Sequence, residues 1–276
     1  MLTVIDMTND YGMLTGEAKT AGAYAAFRRY TKRYAGLFGG MFKYLYMAEP
    51  DALRPVIEAA DFLKLLATAR SNIENGYHRL IPRVVDEAAF RLGFIRCFNL
   101  YLGLALGNVG GYSGPPWGSA PFIYIALDRP LTPELIHTLA PHEVNHMARL
   151  SALPGLDMFD FAERTVSEGL ASVCPAVMNN WGFTPRTLAL AMGIPYERML
   201  ELIRNARPLM QRVIDEFGRP LTRGRMDSYF TWSTRGDRLG GYYTGIVIIR
   251  KLLDMGYRLA ELTAMPSQKI LSLYRE

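Results

Sequence analysis

The chain has 276 residues, half of them hydrophobic and about a fifth charged, which suffices for one medium domain or a compact two-lobed one with its own core. This composition, without low-complexity tracts, excludes a disordered or a fibrous chain. The formal net charge of +5 comes from scattered Lys and Arg residues without a long basic block, which argues against a nucleic-acid-binding arm and favours a solvated basic surface over acidic partners.

The first part of the chain is predicted to be helical. Between Glu17 and Arg91, helix-forming residues dominate and apolar residues recur at three- and four-residue spacing, with Pro55 and Pro82 expected to interrupt the helices. The opening ten residues lack the cationic and apolar regions of a signal peptide. The chain is therefore divided into an N-terminal helical region, 1–92, and a second region, 93–276, which together are expected to form one compact unit.

Two strands of a small sheet are predicted next. Residues 94–101 and 122–127 are aromatic and β-branched runs. They are separated by a glycine-rich loop, 107–120, that contains Pro115-Pro116-Trp117. Such a loop either borders a functional cleft or is an ordinary surface connection, and the surface connection is favoured.

Helices return after Asp128. Thr132 and Pro133 form a helix start with an N-cap and a proline at the first helical position, and apolar periodicity runs from Leu135 to about Leu150. Further helices are predicted over 161–178, 195–217, 242–255 and 267–274. The expected fold class is therefore α+β, mostly helical, with a small β-sheet before the helix that starts at Pro133.

Cysteine usage and hydropathy exclude further classes of protein. Cys97 and Cys174 each lie in an apolar stretch outside any C-x-x-C pair, so both are predicted to be buried thiols and not zinc-finger or redox residues. The most apolar stretches, 100–106 and 246–249, are too short to span a bilayer. A cytoplasmic protein without a membrane span is expected.

The segment His142-Glu143-Val144-Asn145-His146 matches the H-E-x-x-H pattern. Residues four apart on a helix lie on the same face, so the imidazoles of His142 and His146 can bind one zinc ion. Glu143 then lies beside the metal, as a general base that accepts a proton from zinc-activated water. The competing interpretation, two histidines paired for packing or surface reasons, is weaker because the segment falls inside a predicted helix of a chain with only four histidines.

A catalytic zinc site usually has three protein ligands. Cys174 is disfavoured as the third by its apolar surroundings, and His137 by its helical phase relative to His142. Carboxylates on the next predicted helix are better candidates.

Glu168 has the more suitable setting of the two glutamates on that helix. It shares a helical face with Thr165 and Ser172, and small residues that permit close helix packing follow it, whereas Glu163 has no such setting. Glu168 is therefore the predicted third ligand. The alternative is an ordinary surface glutamate, solvated or paired with Arg164.

The segment HEVNHMAR, followed by SEGLAS with Glu168 twenty-two residues after His146, resembles the gluzincin arrangement. More narrowly, residues 94–255 resemble the YjaZ-like family of predicted zinc-dependent proteases, through IYIALD, these two segments and a late Gly-Tyr-Tyr-x-Gly helix. The resemblance implies a zincin-like catalytic core in the second region, one zinc ion held by His142, His146 and Glu168, and Glu143 as the catalytic base. It implies no particular substrate.

Two further residues are expected near the zinc site. A hydrolase of this kind needs a donor for the oxyanion that develops on the substrate. Tyr242 is matched to the family's tyrosine, with Tyr243 as the alternative, and a core or surface tyrosine is an equally good interpretation. Arg149, three residues after His146, is expected to pair with a carboxylate of the site or of the neighbouring helix, or to form an ordinary salt bridge.

The predicted function is that of a zinc-dependent metallopeptidase. A peptide substrate is favoured because, in zincin-like enzymes, the strand before the metal-binding helix lies at a sheet edge and pairs with the substrate, and residues 123–127 are expected to be that strand. The alternatives are a zinc hydrolase of a non-peptide amide or ester, and a regulatory or interaction protein with a silent zincin fold, which the presence of Glu143 disfavours. The expected partner is a peptide or protein, not a nucleic acid.

Overall fold

The computed structural model describes residues 1–105, 110–114, 120–231 and 239–276. Most of the predicted loop 107–120, including Pro115-Pro116-Trp117, lies outside the described residues. The chain forms two compact units, the first made of 1–87 and 95–136 and the second of 88–94 and 137–276. By this division the sheet lies in the same unit as the N-terminal helices. The regions 1–92 and 93–276 expected from the sequence stay a prediction.

The first unit contains a four-stranded sheet with the order β1-β2-β4-β3. Its strands are β1 (Leu2–Asp6), β2 (Phe98–Gly103), β3 (Gly111–Tyr112) and β4 (Phe122–Ala126). The pairs β1/β2 and β2/β4 are parallel, and β3/β4 is antiparallel. Every residue of β4 is buried, as expected of a strand covered on both faces. The prediction of a mostly helical α+β fold with a small sheet is confirmed.

The expectation that residues 123–127 form a sheet edge is wrong. Strand β4 pairs with β2 along its whole length and with β3 on its other side, where Tyr124 and Ile125 pair with Tyr112 and Gly111. The backbone groups of Tyr124 and Ile125 are therefore flanked by strands on both sides, so this part of β4 is not an open edge for an extended peptide.

Six α-helices precede β2 in the chain, and the last of them extends from the first unit into the second. They are α1 (Tyr11–Ala21), α2 (Ala23–Arg33), α3 (Ala35–Gly40), α4 (Arg54–Glu58), α5 (Phe62–Glu74) and α6 (Tyr77–Arg91). Pro55 lies in the first turn of α4, as expected of a proline that precedes a helix. The predicted interruption at Pro82 is wrong, because Pro82 lies inside α6, where the buried Ile81 and Val85 hold the helix by packing.

The chain just before the helix that starts at Pro133 is held in place by α5. The side-chain amide of Asn72 is buried and donates hydrogen bonds of 2.7 Å to the carbonyl oxygens of Leu127 and Arg129. These two carbonyls belong to the segment that leaves β4, so a buried amide satisfies backbone groups that no strand pairs.

Nine further helices are described after β4. They are α7 (Pro133–Ala152), α8 (Phe161–Met178), α9 (Pro185–Met192), α10 (Tyr196–Arg204), α11 (Ala206–Ile214), α12 (Arg223–Tyr229), α13 (Gly240–Asp254), α14 (Leu259–Thr263) and α15 (Ser267–Arg275). The N-cap prediction for α7 is confirmed, since Thr132 Oγ1 accepts a hydrogen bond of 3.2 Å from the Leu135 backbone N–H. The helix predicted over 195–217 is divided at Asn205.

Helices α8 and α13 cross at a pair of glycines. A Cβ atom added to Gly169 would collide with the backbone of Gly245, and one added to Gly245 would collide with the carbonyl oxygen of Thr165. The prediction that small residues after Glu168 allow close helix packing is confirmed. This crossing holds the segment that carries Glu168 against α13.

Gly169→Ala is expected to destabilise the protein by about 1–3 kcal/mol, because the added methyl group meets backbone and not a flexible side chain. Gly16→Ala is the matched control, since Gly16 lies inside α1 with nothing within 4 Å of an added Cβ atom, and it is expected to gain about 0.5–1 kcal/mol. Urea unfolding of both variants measures the two effects. Equal stability of the two variants would contradict the close crossing.

The two cysteines differ in exposure. Cys174 is buried in α8, and burial raises the pKa of its thiol. Cys97 is exposed, so the prediction of a buried thiol is confirmed for Cys174 and wrong for Cys97. Cys97 lies in the connection just before β2, where apolar neighbours in sequence are not neighbours in a core. Among the described residues, no helix is both long and apolar enough to cross a membrane.

Candidate metal centre

Helix α7 presents two imidazoles side by side. His142 and His146 lie one helical turn apart, with ring centroids separated by 4.8 Å and ring planes inclined by 79°. Their Nε2 atoms are 3.1 Å apart. The side chains are only 16% and 13% exposed, so both nitrogens point into a partly buried space and not into solvent.

Helix α8 brings Glu168 to the same point. Its Oε2 atom lies 3.5 Å from the Nε2 atom of His142 and 3.5 Å from that of His146. The carboxylate is 2% exposed, and Oε2 accepts no hydrogen bond from any residue that the structure describes. In the part of the chain that the structure describes, these three residues are the one group of His, Cys, Asp or Glu side chains placed to hold a metal ion.

The spacing of the three atoms fits a zinc site. Ligand atoms about 2.0–2.1 Å from a tetrahedral zinc ion are about 3.3 Å from one another. The observed separations are 3.1, 3.5 and 3.5 Å. Two imidazole nitrogens and one carboxylate oxygen are also a donor set that zinc favours. A buried carboxylate oxygen without a hydrogen bond is costly unless a charged partner offsets it, and a cation bound here would be that partner.

Charged neighbours keep Glu168 ionised. Burial by itself raises the pKa of this carboxyl, but Arg164 and the two imidazoles outweigh burial and hold the pKa well below its usual value. Arg164 contributes through an ion pair of 2.7 Å from Nη2 to Oε1 of Glu168. Burial lowers the pKa of His142, but Glu168 and Glu143 together raise it above its usual value.

Glu143 occupies a buried position next to the histidines. It follows His142 on α7, is 5% exposed, and its negative charge is one of the causes that raise the pKa of His142. It does not belong to the group of three ligands. Glu143 is thus close enough for its charge to act on His142 without belonging to the ligand group, and its role as general base stays a prediction.

Tyr242 lies beside Phe230, which in turn lies near Arg164, the ion-pair partner of Glu168. Its ring packs edge-on against Phe230 at 5.9 Å, and the Phe230 ring lies 6.0 Å from the guanidinium of Arg164. Phe230 also packs so closely on Gly241 that a Cβ atom there would collide with its ring. Tyr243 is also buried, and burial raises the pKa of its hydroxyl. The choice between the two tyrosines as the oxyanion donor stays a prediction.

Arg149 has a structural contact and does not reach the ligand group. It is fully buried, and its Nε and Nη2 atoms donate to Oε1 and Oε2 of Glu163 at 2.7 and 2.8 Å. Its Nη1 atom donates to the carbonyls of Thr263 and Met265. The expectation of a pair with the neighbouring helix is confirmed, and the same pair explains why Glu163 is buried away from the ligands.

The sequence patterns did not indicate Ser167. Its Oγ atom lies 3.1 Å from Nδ1 of His146, on the opposite side of the ring from the ligand cluster. The sequence feature that could have indicated Ser167 is its place directly before Glu168, because neighbouring residues at a helix contact can reach the same partner helix.

No protein-family model, curated protein or solved structure matches this chain.

Proposed function

We propose that this protein is a zinc-dependent hydrolase of the metallopeptidase type, with one zinc ion held by His142, His146 and Glu168. The observation that carries the proposal is the convergence of three ligand atoms, with Nε2 to Nε2 at 3.1 Å and each Nε2 to Oε2 at 3.5 Å. The motif and its spacing further support a gluzincin-like site in a zincin-like helical core, of the kind predicted for the YjaZ-like family.

When bound in such a site, zinc lowers the pKa of a coordinated water to about 7 and polarises a carbonyl oxygen. The protein's own contribution begins with Glu143, whose buried carboxylate takes a proton from the attacking water and passes it to the leaving amine. The hydroxyl of Tyr242 donates a hydrogen bond to the oxyanion that develops on the substrate. Arg164 holds Glu168 ionised, so the ligand stays available to a cation.

A peptide is the first choice of substrate, because of the resemblance to predicted zinc proteases. A non-peptide amide or ester is the second, because the same chemistry acts on any polarised carbonyl. The inner position of β4 favours the second choice to some extent, since it removes the strand-pairing argument for a peptide. A protein with the same fold and no turnover is disfavoured by the buried carboxylate of Glu143.

Metal analysis of purified protein tests the centre. The wild type is expected to hold one zinc ion, and His146→Ala and Glu168→Ala are expected to lose it, because each removes one of three ligands. Glu58→Ala is the control, as Glu58 also pairs with an arginine four residues away but lies on the exposed helix α4, and it should keep the zinc. Purified wild type without stoichiometric zinc would contradict the proposal.

Hydrolysis is tested separately with a peptide library and a set of simple amides and esters. Activity that a chelator abolishes and added zinc restores is the expected result. Cleavage of peptides identifies a peptidase, and cleavage confined to small amides or esters selects the second candidate. A zinc-loaded protein that cleaves none of these would contradict the hydrolase assignment while leaving the metal centre intact.

A further inference from the structure

Helix α8 carries more of the centre than its one ligand. Arg164, Ser167 and Glu168 lie within about one turn of this helix, and each of them contacts the ligand set. Ser167 contacts Nδ1 of His146, the nitrogen opposite the one in the cluster, and Arg164 contacts Oε1 of Glu168, the oxygen other than the one in the cluster.

We infer that Ser167 and Arg164 are positioning residues that decide which atom of each ligand faces the metal ion, Nε2 of His146 and Oε2 of Glu168. The inference rests on the zinc site of the proposed function and concerns its assembly, not its substrate. In this arrangement α8 supplies a ligand together with the groups that orient two ligands on two helices.

Ser167 acts on the tautomer and ring orientation of His146. A neutral imidazole carries its proton on one nitrogen and binds a metal through the other. When Nε2 binds the metal ion, the proton is on Nδ1, and Nδ1–H then donates to Oγ of Ser167, which lies 3.1 Å away. This hydrogen bond opposes rotation of the ring and favours the tautomer that can bind zinc through Nε2.

Arg164 acts on the carboxylate of Glu168. The two oxygens of a free carboxylate are equivalent, but Oε1 here accepts a charge-assisted hydrogen bond of 2.7 Å from Nη2 of Arg164. Oε2 is left 3.5 Å from each imidazole. The guanidinium lies 6.0 Å from the Phe230 ring, which helps to keep it in position. Because Arg164 binds Oε1, Glu168 is left with one oxygen, Oε2, as the ligand atom.

Zinc affinity measured by competition with a chromophoric chelator tests the role of Ser167. Ser167→Ala is expected to weaken zinc binding about 10- to 100-fold, as loss of a hydrogen bond to a ligand does in other metal sites. Ser167→Thr keeps the hydroxyl and is expected to restore the affinity. Ser172→Ala is the matched control, because Ser172 is a buried serine one turn after Glu168 whose Oγ has no hydrogen-bond partner among the described residues. The zinc affinity of this variant should equal that of the wild type.

A spectroscopic measurement separates positioning from a general loss of structure. In the zinc-loaded wild type, proton–nitrogen NMR should show His146 protonated at Nδ1, with a slowly exchanging proton. Ser167→Ala should lose that slow exchange, and Ser167→Thr should regain it. If Ser167→Ala binds zinc as tightly as the wild type with an unchanged Nδ1 proton, Ser167 has no positioning role.

Cobalt substitution tests Arg164. Arg164→Met is expected to weaken cobalt binding about 10-fold or more and to alter the visible absorption bands, because both carboxylate oxygens become free to bind. Arg164→Lys, which keeps the charge, should recover part of the affinity. Identical spectra for the wild type and Arg164→Met would overturn this role. A wild type that binds no metal overturns both proposals, whereas normal positioning effects without hydrolysis overturn the hydrolase alone.

Discussion

Glu143→Gln is expected to keep its zinc and to lose most of its hydrolytic activity, with kcat/KM lower by about 100- to 10,000-fold. The substitution preserves the size of a side chain that is 5% exposed, so we expect the fold to be unchanged. A glutamine amide cannot accept a proton from water at neutral pH, so the general base is lost while the three ligands stay in place. Zinc content and kcat/KM, measured on the same preparation, check both halves of the expectation.

The control for this experiment is Glu134→Gln on the same helix. Glu134 lies in the first turn of α7 and is exposed, so its replacement should alter neither the zinc content nor the rate. If Glu143→Gln binds zinc normally and hydrolyses as fast as the wild type, Glu143 is not the base. If Glu143→Gln also loses zinc, Glu143 contributes to zinc binding, a role that its position beside the ligands does not predict.

Arg149→Ala is expected to lower the free energy of unfolding by about 3–5 kcal/mol. The guanidinium is fully buried and makes two hydrogen bonds to Glu163 and two to backbone carbonyls. Its removal leaves the Glu163 carboxylate buried at 6% exposure, with Ser267 as a remaining donor. Denaturant unfolding monitored by circular dichroism measures the loss.

Two companion variants show whether the unpaired charge causes this loss. The double variant Arg149→Met, Glu163→Leu removes both charges, and we expect it to be more stable than Arg149→Ala, since a buried pair replaced by apolar groups often costs little. Arg223→Ala breaks an exposed ion pair with Asp227, at 58% and 51% side-chain exposure, and should change the stability by less than about 0.5 kcal/mol. An Arg149→Ala effect as small as that of Arg223→Ala would show that the buried pair contributes no net stability.

Helical periodicity predicted the elements that carry the site. The predicted helix 161–178 has the same limits as α8 (Phe161–Met178), and the N-cap at Thr132 lies where α7 starts. Both helices have strong local signals, namely capping residues and a continuous apolar face. Because a helix places residues four apart on one side, the pairing of the two histidines followed from the sequence as soon as the helix did.

Non-local features were predicted poorly. Strand β1 was missed because its partner β2 lies far along the chain, with Leu2 opposite Phe98, and a short half-exposed strand has little pattern of its own. The prediction that residues 123–127 lie at a sheet edge was wrong because their neighbour β3 is only two residues long, and so short a strand has almost no recognisable sequence pattern. The interruption at Pro82 failed because burial of its helical neighbours outweighs one missing backbone hydrogen bond.

The sequence by itself determined the two candidate ligands on α7 and their local geometry, since the spacing of His142 and His146 along one helix needs no information from the rest of the chain. The sequence favoured Glu168 over Glu163 as the third candidate ligand, and the tertiary structure shows the physical reason why Glu163 does not meet the histidines. Both glutamates lie on α8, but Arg149 and Ser267 hold Glu163 in a separate buried network, while Glu168 lies 3.5 Å from both imidazoles. The position of Glu168 also depends on the close packing of α8 on α13, which Gly169 and Gly245 permit. The small residues after Glu168 indicated such packing, but the pairing of Gly169 with Gly245 is a long-range contact that the local pattern does not encode.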